Sequence, residues 1–98
     1  MTRTLLVRRR AEFHASTARD WYEEKRPGLG ADFIEELGFA IEKAHENPLH
    51  YQTIILELRR VLLRRFPYAV FFVAEENRVV VLAVLRQSED PGKWKTLK

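Results

Sequence analysis

A chain of 98 residues, 46% hydrophobic and 32% charged, has the composition of one folded domain rather than a disordered segment, near the lower end of what buries a self-sufficient core. Without cysteine it can have no disulfide, thiolate nucleophile or zinc–thiolate site, and His14, His45 and His50 show no close spacing that favours a shared metal, so neither metal nor cofactor is expected. Net charge is +3, and twelve of the seventeen cations are arginine, grouped at 8–10, 59–60 and 64–65; such planar forks suit nucleic acid or the carboxylates of an acidic partner.

Thr2 to Val7, rich in Leu, Thr and Val, reads as a short first strand ended by Arg8-Arg9-Arg10. In MTRTLLVRRR the charges follow a three-residue apolar run, the wrong order for a signal peptide, and no apolar run approaches the roughly 20 residues of a membrane span. A cytoplasmic protein is expected. From Ala11 the spacing Ala11, His14/Ala15, Ala18, Trp21/Tyr22, Lys25 follows a helical stripe, stopped by Pro27-Gly28-Leu29-Gly30. A second helix, Ala31 to Glu46, places Ile34, Leu37, Ile41 and Ala44 on its apolar face with Phe33 and Ala40 widening it, and Asn47-Pro48 provides a residue tolerant of left-handed backbone and then a breaker. The two form a helical hairpin over residues 11–46.

Pro48 to Leu56 is expected to be a connector that lies on the core through Tyr51, Ile54 and Ile55. Three strands follow within 57–85, from about Glu57 to Arg64, Tyr68 to Ala74 and Arg78 to Leu85, with Pro67 marking a strand start or an edge and Glu75 to Arg78 a tight turn. Residues 87–98 form a polar tail carrying one large aromatic, Trp94. The order β-α-α-β-β-β in a single domain, 1–98, is an α+β arrangement: an N-terminal strand and a helical hairpin packed on one face of a small, mainly antiparallel sheet.

That arrangement leaves a shortage of cover. Tyr68, Val70 and Phe72 point one way, Ala69, Phe71 and Val73 the other, and both sets are apolar; Val79 to Leu85 is apolar without a break. Two helices of roughly 23 Å cover one face of a four-stranded sheet but hardly two. The second face is expected to meet the connector, the tail or a partner, since exposed contiguous apolar surface marks interaction sites.

Trp21-Tyr22-Glu23-Glu24, Arg26-Pro27-Gly28-Leu29-Gly30, Phe33, Asn47-Pro48, Arg60, Arg65-Phe66-Pro67-Tyr68, Val80-Val81-Leu82-Ala83-Val84 and Asp90-Pro91 with Trp94 occur in an order that resembles the RelE/ParE superfamily of type II toxins, over nearly the whole chain. The resemblance implies a small toxin neutralised by a cognate, ParD-like antitoxin whose acidic, apolar-anchored segment wraps across the hairpin and sheet. It also implies one of two activities: RelE-like toxins cut messenger RNA on the ribosome, whereas ParE-like toxins poison DNA gyrase.

Cleavage through a 2′-hydroxyl needs a general base, a general acid and cations for the phosphate. Where cutting members carry an arginine after the tyrosine of a GYR-like motif, Tyr68 is followed by Ala69; where a tyrosine or histidine stands near the C-terminus, the aromatic is Trp94, a donor only. Arg86 occupies the position after the last strand but is too basic for ordinary proton transfer. His45 and His50 read as structural or solvent-facing, His14 as a satisfied ring on the first helix, Trp21 and Tyr22 as core area, and Glu23 and Glu24 as helix-surface charges.

The expectation is therefore a ParE-like, non-enzymatic inhibitor of DNA gyrase with no catalytic residues. Its partner-binding residues would be Arg59, Arg60, Arg64, Arg65, Arg86 and Trp94. The alternatives are a ribosome-dependent endoribonuclease that clamps phosphate with Arg64, Arg65 and Arg86, and a degenerate, non-toxic binding module.

Overall fold

The computed structural model describes residues 2–88. Its elements are β1 (Thr4–Val7), α1 (Arg9–Lys25), α2 (Leu29–Glu46), a 3-10 turn (Pro48–His50), β2 (Thr53–Ile55), β3 (Leu58–Leu62), β4 (Tyr68–Ala74) and β5 (Arg78–Arg86). The sheet order is β1-β5-β4-β3-β2, with β1 parallel to β5 and the other pairs antiparallel. The α+β arrangement with one hairpin on a mainly antiparallel sheet is as expected. The strand count is not: the connector contains β2, which pairs with β3 through Thr53↔Arg59 and Ile55↔Leu58.

β1 passes directly into α1, and the Arg8 N–H bonds the Val81 carbonyl at 2.9 Å as the chain leaves the sheet. Ala11, Ala18 and Tyr22 are the buried residues of α1, so small side chains let the helix lie close to the strands. Trp21, expected in the core, is instead 46% exposed; it neighbours Tyr22 in sequence and falls on the outer flank once Tyr22 takes the inward position.

The hairpin turn depends on two glycines. Gly28 has φ 92°, which a β-carbon would oppose, and Gly30 lies where an added β-carbon would stand 2.7 Å from the Arg19 carbonyl oxygen. No side chain at Gly28 can cap α2, so Glu23 reaches across from α1: its carboxylate accepts the N–H of Gly28 at 3.0 and 3.1 Å and of Gly30 at 3.0 Å. Glu23 thus ties the two helices together rather than standing as a surface charge.

α2 buries Gly30, Phe33, Leu37, Ala40 and Ala44, a stripe centred one residue from the expected one, which leaves Ile34 at 38% exposure. Asn47 ends the helix with φ −145°, outside the left-handed region expected of it. The described non-glycine residue with positive φ is Leu56 (φ 52°), in the β2–β3 turn.

The sheet carries two apolar faces. The helix face joins Val61, Val70, Phe72, Val79, Val81 and Val84 to the buried residues of both helices. The second face comprises Leu58, Ala69, Phe71, Val73, Val80, Leu82 and Ala83, flanked by Leu6, Ile55 and Leu85, so among the described residues it is built from strands alone. Phe71 and Phe72, on opposite faces, are both fully buried, each worth about 1.5–3 kcal/mol of transfer. The alternation read along β4 is therefore correct, but the exposed patch expected on the second face is not found there. Ile55 brings the connector onto this face; the expected contribution of the 87–98 tail lies outside the described residues from 89 onward.

A β-bulge breaks the alternation in β5. Phe71 pairs with Ala83 and Phe72 with Val81, leaving Leu82 as the extra residue. Before it, odd-numbered residues face the helices; after it, Val84 does, and Arg86 follows, opposite Tyr68. Without the bulge Arg86 would lie on the second face.

Candidate functional site

The short motifs of the sequence meet at one end of the sheet. Tyr22 packs at 5.3 Å from Phe33, 4.8 Å from Phe66 and 6.1 Å from Tyr68, and Phe33 lies 5.2 Å from Phe66 and 5.3 Å from Tyr68, between ring centroids. This aromatic cluster fastens both helices to the β3–β4 loop and to the start of β4. Trp21 adds an edge contact to Tyr22 at 5.0 Å and turns its remaining surface outward.

Arg86 completes that outer side. Its guanidinium lies 5.9 Å from the Trp21 ring and 5.4 Å from the Tyr68 ring, and the Lys25 ammonium lies 4.6 Å from Trp21. Burial and the neighbouring Tyr68 push the Tyr22 phenol above its ordinary value of 10.0, against a smaller pull downward from Arg86. Between α1 and β5 a cleft of about 240 Å³ opens, lined by Phe13, His14, Thr17, Ala18, Tyr68, Val84, Leu85 and Arg86. His14 is half-buried in its wall, and its Nδ1 accepts the Val84 N–H at 3.2 Å.

The other arginines lie apart from this cleft. Arg59 faces the helices opposite Phe72, roughly 13 Å along β4 from the Tyr68–Arg86 pair at 3.3 Å per residue, and its guanidinium bonds the Tyr51 carbonyl. That bond pins the connector and accounts for Arg59 structurally. Arg60 stands on the second face opposite Phe71. Arg64 and Arg65 occupy the β3–β4 loop, where the Glu36 carboxylate accepts both of their backbone N–H groups and Asp32 pairs with the Arg65 guanidinium at 3.5 Å. Trp94 lies outside the described residues. The five predicted partner-binding arginines, all among the described residues, therefore do not gather at one place.

A second concavity, about 460 Å³, runs between α2 and β3 and is lined by Glu36, Phe39, Ala40, Lys43, Tyr51, Val61, Leu62, Leu63, Arg64 and Arg65. Phe39 and Leu62 are 59% and 48% exposed along it. Lys43, Arg64 and Arg65 set three cations against the single Glu36 carboxylate along its rim, the Arg65 guanidinium also facing Asp32. Sequence reasoning misses Phe39 because it lies one residue off the buried stripe of α2, where a large apolar side chain has no packing role to signal it.

Of the histidines, His45 Nε2 meets the Arg3 carbonyl at 2.6 Å, which fastens the N-terminal strand to the end of α2, and His50 is exposed against the Tyr51 ring at 5.2 Å. No group of acidic and histidine residues that could hold a metal occurs among the described residues.

The model of the family described as the ParE toxin of the type II toxin-antitoxin system parDE matches residues 5–91. The chain belongs to the ParE toxin family. A solved structure described as the chromosomal ParDE TA system from P. aeruginosa superposes with a TM-score of 0.78 at 15% identity, over 87% of this chain and 96% of that one, which independently supports the fold. No curated protein sequence matches. As a ParE toxin the chain has an antitoxin partner. No helix among the described residues is long and apolar enough to cross a membrane.

Proposed function

We propose that this ParE toxin works in the cytoplasm by binding and inhibiting DNA gyrase, without cutting RNA, and that its antitoxin neutralises it through the α2–β3 groove. The observation that carries the first part is the environment of Arg86. A phosphate clamp for RNA cleavage needs a proton-transfer group beside it. Arg86 is instead packed against the Trp21 and Tyr68 rings, Arg64 and Arg65 stand on a different loop, and burial pushes Tyr22, the phenol behind Arg86, toward keeping its proton. His14 uses Nδ1 to hold the backbone of β5. The arrangement suits recognition by shape and charge.

The second part rests on the groove. An apolar floor with Phe39 and Leu62, rimmed by Lys43, Arg64 and Arg65, fits an acidic antitoxin segment that inserts apolar side chains and orders as it binds. Arg64 and Arg65 are the partner-binding arginines of this reading, and Arg59 a support behind them.

Purified toxin tested for inhibition of gyrase supercoiling and, in parallel, for codon-positioned cleavage of message on translating ribosomes separates the two activities. Supercoiling inhibition without cleavage is expected; cleavage without supercoiling inhibition overturns the proposal. For the groove, Leu62→Asp combined with Arg65→Glu should weaken antitoxin binding by roughly tenfold or more while supercoiling inhibition is kept, since rim charge and a central apolar contact are both lost. Unchanged antitoxin affinity would remove the groove from the interface.

A further inference from the structure

We infer that the cleft between α1 and β5 is the surface with which this toxin grips its target protein, taking an apolar side chain carried on an acidic segment. The inference rests on the reading of the chain as a binding toxin, and adds where the target is held. It starts from an oddity of α1. The inward stripe of this helix is Ala11, Ala18 and Tyr22, yet the helix also carries Phe13 at 67% and Trp21 at 46% exposure. With Thr17 they form a ridge at steps of four, whose next positions are the cations Arg9 and Lys25.

Neither aromatic is needed where it stands for the core, and both border the cleft side of the helix. Phe13 and Thr17 line the cleft, and Arg86 at its mouth bridges toward Trp21. The β-bulge at Leu82 is what puts Arg86 here rather than on the second face of the sheet. Bulges of this kind re-aim a side chain next to functional sites. An exposed Trp and Phe beside an Arg is also the residue set that concentrates binding energy in protein interfaces.

The chemistry of the lining selects the occupant. Phe13, Ala18, Val84 and Leu85 give apolar walls, and no carboxylate lines the cleft among the described residues. Arg86 and Lys25 lie over the Trp21 ring instead of forming a row spaced along an exposed face, as phosphate recognition would use. A protein segment with one apolar anchor and flanking carboxylates satisfies this surface; a nucleic-acid strand can stack a base on an aromatic ring but leaves the aliphatic walls of Ala18, Val84 and Leu85 unfilled. The cleft lies on the α1 side of the hairpin, and the groove rimmed by Arg64 and Arg65 lies on the α2 side.

The test uses Phe13→Ser and, separately, Thr17→Glu, both at exposed positions where substitution leaves stability within about 0.5 kcal/mol. Each full-length variant is checked by thermal melting, then assayed for growth arrest on induction, inhibition of purified gyrase and binding to its cognate antitoxin. Expected for both variants is a loss of about tenfold or more in gyrase inhibition and in growth arrest, with antitoxin affinity within about threefold of the parent. If the parent does not inhibit gyrase but Phe13→Ser still abolishes growth arrest, the surface stands and gyrase is the wrong target. Full growth arrest by both variants overturns the surface itself. A matching loss of antitoxin affinity overturns it too, because the cleft would then belong to the antitoxin. Steeply salt-dependent binding of the parent to DNA alone, lost in Phe13→Ser, would overturn the protein occupant.

Discussion

Replacing His14 tests whether a single ring nitrogen holds the end of β5 in place. β1 pairs with β5 only as far as Val7↔Val81, so beyond the bulge the outer edge of β5 has α1 beside it in place of a strand. Val84 is 2% exposed, and its N–H is donated to His14 Nδ1 at 3.2 Å, which requires the proton of the neutral ring to sit on Nε2. His14→Gln keeps an acceptor of similar reach, whereas His14→Leu fills the space without one. A buried donor left unpaired costs about 1–3 kcal/mol, from which the leucine recovers up to roughly 1 kcal/mol of apolar burial at this half-buried position. The leucine variant should therefore lie below the glutamine variant by about 1–2 kcal/mol. At about 4–8 °C per kcal/mol for a domain of this size, the gap is easily read by circular-dichroism melting and by urea midpoints. A leucine variant that melts with or above the glutamine variant would refute the assignment of this hydrogen bond as structural.

Four further outcomes follow from the geometry. Gly30→Ala should destabilise by about 1–3 kcal/mol in urea unfolding, because its β-carbon would meet the immovable Arg19 carbonyl at 2.7 Å and the capping Glu23 carboxylate at 2.9 Å. Gly38→Ala, with nothing within 4 Å, should gain up to about 1 kcal/mol from helix propensity, so equal effects at the two glycines would contradict the packing of the hairpin. The raised Tyr22 pKa means that the unfolded chain loses this proton first, so the stability Tyr22 contributes is present below the unfolded value of about 10 and lost as pH rises through the higher folded one. Urea midpoints should fall on going from pH 9 to about pH 11, and less so in Tyr22→Phe. Leu56→Gly should raise the midpoint modestly, since a left-handed leucine costs roughly 1–2 kcal/mol and the added chain entropy of glycine offsets about half of it; a lower midpoint would show that Leu56 is held by packing.

The sequence shows its turn residues clearly because they act locally. Pro27 and Gly28 must break the helix, and Phe33 falls on the apolar stripe of the one that follows, so the hairpin is legible in the order of residues alone. The alternation in β4 is legible for the same reason: period two decides the face of each residue. Three features are not. β2 is three residues long and pairs across a register shift, too short to show a period. Glu23 resembles any other helix-surface carboxylate until the turn brings the N–H groups of Gly28 and Gly30 to it. The bulge is hidden because a run such as Val79 to Val84 is apolar at every position, so an extra residue leaves no mark on the pattern; only its pairing with β4 reveals that Leu82 and Ala83 share a face.

That hidden residue also decides how two partners can relate to one toxin. With Arg86 turned to the helix side, the cleft and the α2–β3 groove flank the same hairpin, the cleft beside α1 and the groove beside α2, and the loop of residues 63–67 lends Leu63, Arg64 and Arg65 to the groove. The loop is stiff: Leu63 N–H bonds the Tyr68 carbonyl at 2.9 Å, the Gln87 N–H bonds the Pro67 carbonyl at 2.9 Å, and Gln87 Nε2 reaches the carbonyls of Leu63 and Tyr68 at 3.2 and 3.1 Å. Glu36 fixes the same loop from α2 through the backbone of Arg64 and Arg65. On the readings proposed above, an antitoxin seated in the groove and a target seated in the cleft meet different residues of one rigid hairpin, held by the Phe33–Phe66 contact and the Gln87 clamp, which is why Phe13→Ser and the Leu62→Asp, Arg65→Glu pair should separate the two partners.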